Sequence, residues 1–121
     1  MVTYEDIVAA QEVIAPRVIR TPLIFSPTFS QVTGANIYLK LETLQKAGSF
    51  KVRGATYRIL RHTSEIGEAG VIAASAGNHA QGVAVAARMA GVHATIVMPV
   101  HASLSKLAAA KSYGADIILN G

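Results

Sequence analysis

The sequence predicts an α/β fold: an open parallel sheet with flanking helices. Three observations predict it. Short apolar runs alternate with alanine-rich stretches of helical length through the C-terminal half. Glycines stand where two of those helices must stop, and the connections between runs are short. "GVIAASA" (70–76) reads as a buried-type strand. "GNHAQGVAVAARMAG" (77–91) reads as a helix with Gly91 as its stop. "HATIVMP" (93–99) is a strand closed by proline, "SLSKLAAAKSYG" (103–114) a helix ended by Gly114, and "ADIILNG" (115–121) a third strand.

The N-terminal half is less regular. Ile7, Ala10, Val13, Ile14 and Val18 recur at helical spacing, so residues 4–18 read as a helix, and Thr3 with Asp6 resembles a capping box. Pro16 closes its regular part, and "RTPL" (20–23) runs extended because Thr21 precedes proline. "NIYLKLE" (36–42) alternates as a strand and "TLQKAGS" follows as a loop. From Phe50 a helix fits, with Ser49 as its N-cap; Phe50, Ala55, Ile59 and Leu60 face inward, while Arg53, Arg58 and Arg61 reach solvent.

Composition bounds the function. Of 121 residues, 51% are hydrophobic and 15% charged, enough for a packed core. No apolar run has the length of a membrane span, and the N-terminus, "MVTYEDIVAAQ", is acidic and amphipathic rather than a secretory signal. The absence of cysteine excludes disulfides, thiolate nucleophiles and cysteine zinc sites. Net charge is +4, and six of the eleven basic residues fall between Lys40 and Arg61. A nucleic-acid patch is one reading; a solvated helix face plus one anion site is the other. The second is favoured, because no aromatic stacking pattern is interleaved with the charges and no DNA- or RNA-binding motif appears. Ile117, Ile118 and Leu119 need cover on both faces, so the sequence reads as the first part of a longer protein.

Two loops have the form of ligand sites, each lying between a predicted strand and a helix start. In "SAGNHAQG" (75–82), Gly77 allows close backbone approach, and the first-turn amides can donate to a carboxylate or phosphate. Asn78 offers both a donor and an acceptor. The alternative is that Asn78 only caps the helix and Gly77 only makes the turn. His79 has no histidine four residues away, so no zinc pair and no metal site are expected. In "QKAGSFK" (45–51), Lys51 stands at a helix start, where the dipole disfavours the ammonium form, and burial would disfavour it further. A neutral amine can attack an aldehyde, so the position suits a lysine that holds a carbonyl cofactor, with Phe50 beside it for apolar packing. A solvent-facing Lys51 with no such role is the alternative.

"LETLQKAGSFKVRGA" (41–55) and "SAGNHAQGVA" (75–84) resemble the two N-terminal signatures of the pyridoxal-phosphate enzymes of the tryptophan-synthase-β fold type (fold type II). Within that group they resemble the threonine/serine dehydratases, also called threonine ammonia-lyases. "RTPL" and "IVMP" (96–99) fall in the same order, and the likeness covers essentially all 121 residues. It implies a two-domain enzyme with pyridoxal 5'-phosphate (PLP) between its domains, residues 1–50 belonging to the larger catalytic domain and 51–121 to part of a smaller one. It also implies that Lys51 carries the cofactor as a Schiff base and later removes the substrate's α-proton. Asn78 would bond the ring hydroxyl, Phe50 would pack on the ring, and Ser75, Gly77, Asn78 and His79 would hold the substrate carboxylate.

The reaction so implied is β-elimination of L-threonine, with L-serine as a second substrate, to a 2-oxo acid and ammonia. Ala76 stands where racemases of the group tend to carry a serine, which favours elimination. Such an enzyme is expected to be cytoplasmic and homo-oligomeric at full length, to act on a small amino acid, and to have no nucleic-acid or membrane partner. The family's glycine-rich phosphate run and its pyridine-nitrogen residue are not in this sequence, so this piece alone is expected to bind the cofactor poorly and to have no turnover. The rival readings are a serine racemase or another enzyme of the fold type, and a non-catalytic α/β module that binds an anion at residues 75–82. Threonine synthase and cysteine-forming enzymes often carry an acidic residue after the lysine, which "SFKVRGA" lacks.

Overall fold

Two separate sheets organise the chain, and a computed structural model describes all 121 residues. Strands β1 (Leu23–Phe25) and β2 (Tyr38–Lys40) pair antiparallel, with Leu23 opposite Lys40 and the Phe25 and Tyr38 rings edge to face at 5.4 Å. Strands β3 (Val71–Ala74), β4 (Ala94–Met98) and β5 (Asp116–Leu119) form a parallel sheet in that order. Val71 lies opposite Ala94, and Thr95 opposite Asp116. This β-α-β-α-β half is the expected open parallel sheet with flanking helices. The antiparallel pair is a correction: the 36–42 strand is shorter than expected, joins a sheet of its own, and the loop after it does not leave a parallel sheet.

The helices follow from local chemistry. In α1 (Tyr4–Ile14), Asp6 N–H donates to Thr3 Oγ1 and Thr3 N–H donates back to Asp6, a complete capping box. The helix ends before 18, because Pro16 offers no amide to continue it. Helix α2 (Pro27–Thr33) starts with Ser26 accepting from Phe29 N–H and stops at Gly34, φ +70°. Helices α3 (Lys51–Arg61) and α4 (Thr63–Ile66) follow. Helix α5 (Asn78–Ala90) stops at Gly91 in the left-handed region, and α6 (Leu104–Ser112) is followed by Gly114, φ +89°.

The core lies between β4 and α5. Ile96 and Met98 point inward from β4 and are fully buried, and Ala80, Ala84, Ala86 and Ala87 let α5 lie close above them. Burial alternates along β4 and β3, and Ile72 is 71% exposed. The expectation that 70–76 is buried on both sides is therefore corrected: helices cover one face of this sheet, and β3 is an edge strand. Ile118 and Leu119, adjacent on the other edge strand, β5, are also exposed. No helix is long and apolar enough to cross a membrane.

At the start of α3 three expectations change. Ser49 does not cap it; Phe50 occupies the N-cap with no side-chain bond, and the buried Ser49 hydroxyl has no partner. Phe50 is 59% exposed rather than inward-facing, whereas Ala55 and Ile59 are buried as expected, together with Val52 and Thr56. Arg53 does not reach out into solvent but turns to Glu42.

Candidate functional site

The turn into α3 is set by polar contacts to the segment before β1. The buried Gln45 side chain accepts from Ile19 N–H at 2.9 Å through Oε1 and donates to Ile19 O at 2.7 Å through Nε2, pairing like an extra residue of backbone. Ala47 and Gly48 then take positive φ in succession and swing the chain toward the helix. Two residues past Lys51, Arg53 grips Glu42 with both arms, Nε to Oε2 at 2.8 Å and Nη2 to Oε1 at 2.7 Å, and Nη2 also reaches Ile19 O at 3.0 Å. Thr21 Oγ1 donates to Glu42, and Lys40 Nζ donates to Thr21 O.

The Arg53 hydrogen bonds are the largest influence holding the Glu42 carboxyl at about 2, below its ordinary 4.5. Thr21 and the Arg53 and Lys40 charges add to that effect, and partial burial opposes it. Glu42 in turn raises Arg53, first through the same hydrogen bond.

Lys51 is the first residue of α3. Its Nζ stands 5.0 Å from the centre of the Phe50 ring, and the chain's three ion pairs, Arg53–Glu42, His62–Glu65 and His93–Asp116, do not include it. Lys51 is exposed in this chain. Helix α5 crosses directly behind it. A Cβ on Gly82 would lie 3.0 Å from both the carbonyl carbon and the Cβ of Lys51, and 3.1 Å from Val52 N, so any larger residue would need the start of α3 to give by a few tenths of an ångström.

Asn78 precedes Gly82 by four residues, on the same face of α5 and about 6 Å along its axis. The Gly82 contact thus sets the backbone of Lys51 one turn from the start of α5, while Lys46 of the same loop reaches Met89 Sδ, near the end of α5, at 3.6 Å. Ser75 N–H continues the sheet ladder to Val97 O at 3.0 Å, and Ser75 Oγ accepts from Gly77 N–H at 3.3 Å. Gly77 is the N-cap of α5 and supplies no side-chain bond, so the first-turn amides are left to a ligand or to water. Nothing lies within 4 Å of where a Gly77 Cβ would stand. Asn78 does not cap its own helix; its Oδ1 accepts from Lys106 Nζ at 3.0 Å. His79 is exposed, and Ala76 offers no titratable group.

Glu42, Gln45, Thr21, Gly82 and Lys106 escaped the reading of the sequence. A lone glycine inside an otherwise helical pattern was the available signal for Gly82; the others depend on partners far away in the chain. The concavity of about 280 Å³ lined by Ala84, Arg88, Val92 and Tyr113 lies toward the other end of α5 and contains none of the residues of the two loops.

The arrangement suits a carbonyl cofactor with an acidic oxygen. It has the Lys51 amine with an aromatic face beside it, an amide side chain bonded by Lys106, and a helix start with uncapped N–H groups. Comparisons agree. The family described as "Pyridoxal-phosphate dependent enzyme" matches residues 14–121. The L-threonine ammonia-lyase of Thermotoga maritima is 54% identical over 121 residues, all of this chain and 30% of that protein. A solved threonine deaminase, from the organism abbreviated T.th., superposes with a TM-score of 0.84 at 43% identity, covering 99% of this chain and 37% of that one. Maize serine racemase superposes at 0.89 and 43%, covering 95% and 35%. The chain therefore spans about a third of the length of the relatives it matches.

Proposed function

The chain belongs to the pyridoxal-phosphate dependent enzymes, and from that premise we propose that the protein built on it removes water and ammonia from L-threonine, and from L-serine, to leave a 2-oxo acid. The observation that supports this reading is the approach of Gly82 to the backbone of Lys51, one turn into the helix whose start is uncapped. The resemblance to threonine ammonia-lyase along the whole chain supplies the substrate class.

Lys51 would hold the cofactor through Nζ, and the same nitrogen, freed when the substrate's amino group takes its place, would take the α-proton of the substrate. Phe50 packs beside the ring. The amide of Asn78 donates to the ring hydroxyl. The N–H groups at Asn78 and His79, with the Ser75 hydroxyl, hold the substrate carboxylate against the positive end of α5, and Gly77, its own N–H given to Ser75, leaves room for the approach. When bound, the cofactor supplies the electron sink that makes the α-proton removable. Ala76 cannot deliver a proton to the opposite face, so the site favours elimination. In the assembled protein, residues 1–50 go with a larger domain and 51–121 with a smaller one. That protein works as a cytoplasmic homo-oligomer.

A second reading, serine racemisation, draws on the likeness to maize serine racemase. One experiment separates the readings. Full-length protein is loaded with pyridoxal phosphate, reduced with borohydride, and assayed in parallel for 2-oxobutanoate and D-serine. The expected result is a covalent label on Lys51, 2-oxobutanoate from threonine, and loss of both in Lys51→Ala. D-serine as the main product would replace this reading with racemisation, and a label elsewhere would remove Lys51 from it.

A further inference from the structure

Lys106 lies on α6, 28 positions from Asn78, and donates Nζ to Asn78 Oδ1 at 3.0 Å. An ammonium group has three donors and no acceptor, so the amide atom it faces must be the oxygen. The contact therefore fixes which way round the Asn78 amide stands and leaves the NH₂ group on the free side. An oxygen acceptor needs that orientation; with the amide reversed, Oδ1 would face the ligand and repel it. The placement of Lys106 also runs against its own helix. It is the third residue of α6, where the dipole disfavours a cation, no acidic residue stands in that first turn, and none of the ion pairs includes it.

We propose that Lys106 is a positioning residue: it holds the Asn78 amide with its NH₂ presented to an acceptor oxygen of the cofactor ring. The proposal rests on the reading of Asn78 as the ring-hydroxyl contact. Lys106 itself touches neither cofactor nor substrate in this arrangement; it acts through Asn78.

The test titrates full-length apoprotein with pyridoxal phosphate and records both affinity and the position of the visible absorbance band, for Lys106→Met, Lys106→Arg, Asn78→Ala and the Asn78→Ala/Lys106→Met double variant. The expected result is about tenfold weaker binding and a displaced band in Lys106→Met, substantial recovery in Lys106→Arg, and no added effect of Lys106→Met once Asn78 is alanine. If Asn78→Ala shifts both readouts and Lys106→Met shifts neither, the proposal falls and the reading of Asn78 stands. If Lys106→Met costs as much in the Asn78→Ala background as alone, Lys106 acts directly, and the proposal falls in that case too. If Asn78→Ala is itself silent, both fall together.

Discussion

The two loops that meet at Gly82 are held by opposite kinds of force. The Lys51 loop is tied by a polar network of Gln45, Thr21, Glu42, Arg53 and Lys40, in which nearly every bond is directional and several carry charge. The Asn78 loop is carried by an apolar layer of alanines on α5 lying over Ile96 and Met98. Directional bonds specify where an amine stands but depend on protonation. Apolar burial supplies bulk stability with little directional preference and no dependence on pH. The difference places orientation on one side of the site and stability on the other. Helix α3 joins them, with Arg53 in the network and Val52, Ala55 and Ile59 in the packing.

The largest expected effect tests the apolar side. Ile96 is fully buried on the central strand, beneath the alanines of α5. Ile96→Ala removes three carbons and leaves a cavity, so it should destabilise by about 4 kcal/mol. Denaturant unfolding at pH 7 and pH 5 should give the same loss. A loss under about 1 kcal/mol would show that the layer closes over the gap and is not the source of stability described above.

The polar side should give a smaller effect with a pH signature. The Glu42 carboxyl is held at about 2 against an ordinary 4.5. A carboxylate depressed on folding contributes stability above its unfolded value and loses it as pH falls through its folded one. The Glu42 contribution, on the order of 2 kcal/mol after allowing for its partial exposure, should therefore fade between about pH 4.5 and pH 2. Melting curves across that window should slope less in Glu42→Gln than in the unaltered protein. Equal slopes would mean that the network does not titrate through Glu42.

The same contrast explains what could be read in advance. The β-α-β-α-β half is written locally: alternating burial in β4, alanine in α5, and glycine at 91 and 114 each act within a few residues. The antiparallel pair was harder, because β1 is only "LIF", its three residues are exposed, and its partner lies beyond α2. Helix α2 lacks an apolar stripe, though Ser26, Pro27 and Gly34 mark both of its ends. Lys51 and Asn78 could be singled out because helix starts have a known local chemistry. Arg53 could not be taken from solvent to Glu42 by any periodicity, since 11 residues and an irregular loop separate the two.

The smallest effect lies where the two kinds of force meet. Thr56 is buried on α3, and its hydroxyl has no hydrogen-bond partner, so it belongs to neither the network nor the apolar layer. Valine has nearly the same shape and nothing to desolvate. Replacing a buried, unsatisfied hydroxyl by a methyl group removes a penalty rather than a contact, so Thr56→Val should stabilise by about 1 kcal/mol. Denaturant unfolding at a single pH is enough to read it. Destabilisation instead would mean that Thr56 is satisfied in solution by an ordered water, and that the surroundings of its hydroxyl are wetter than its burial implies.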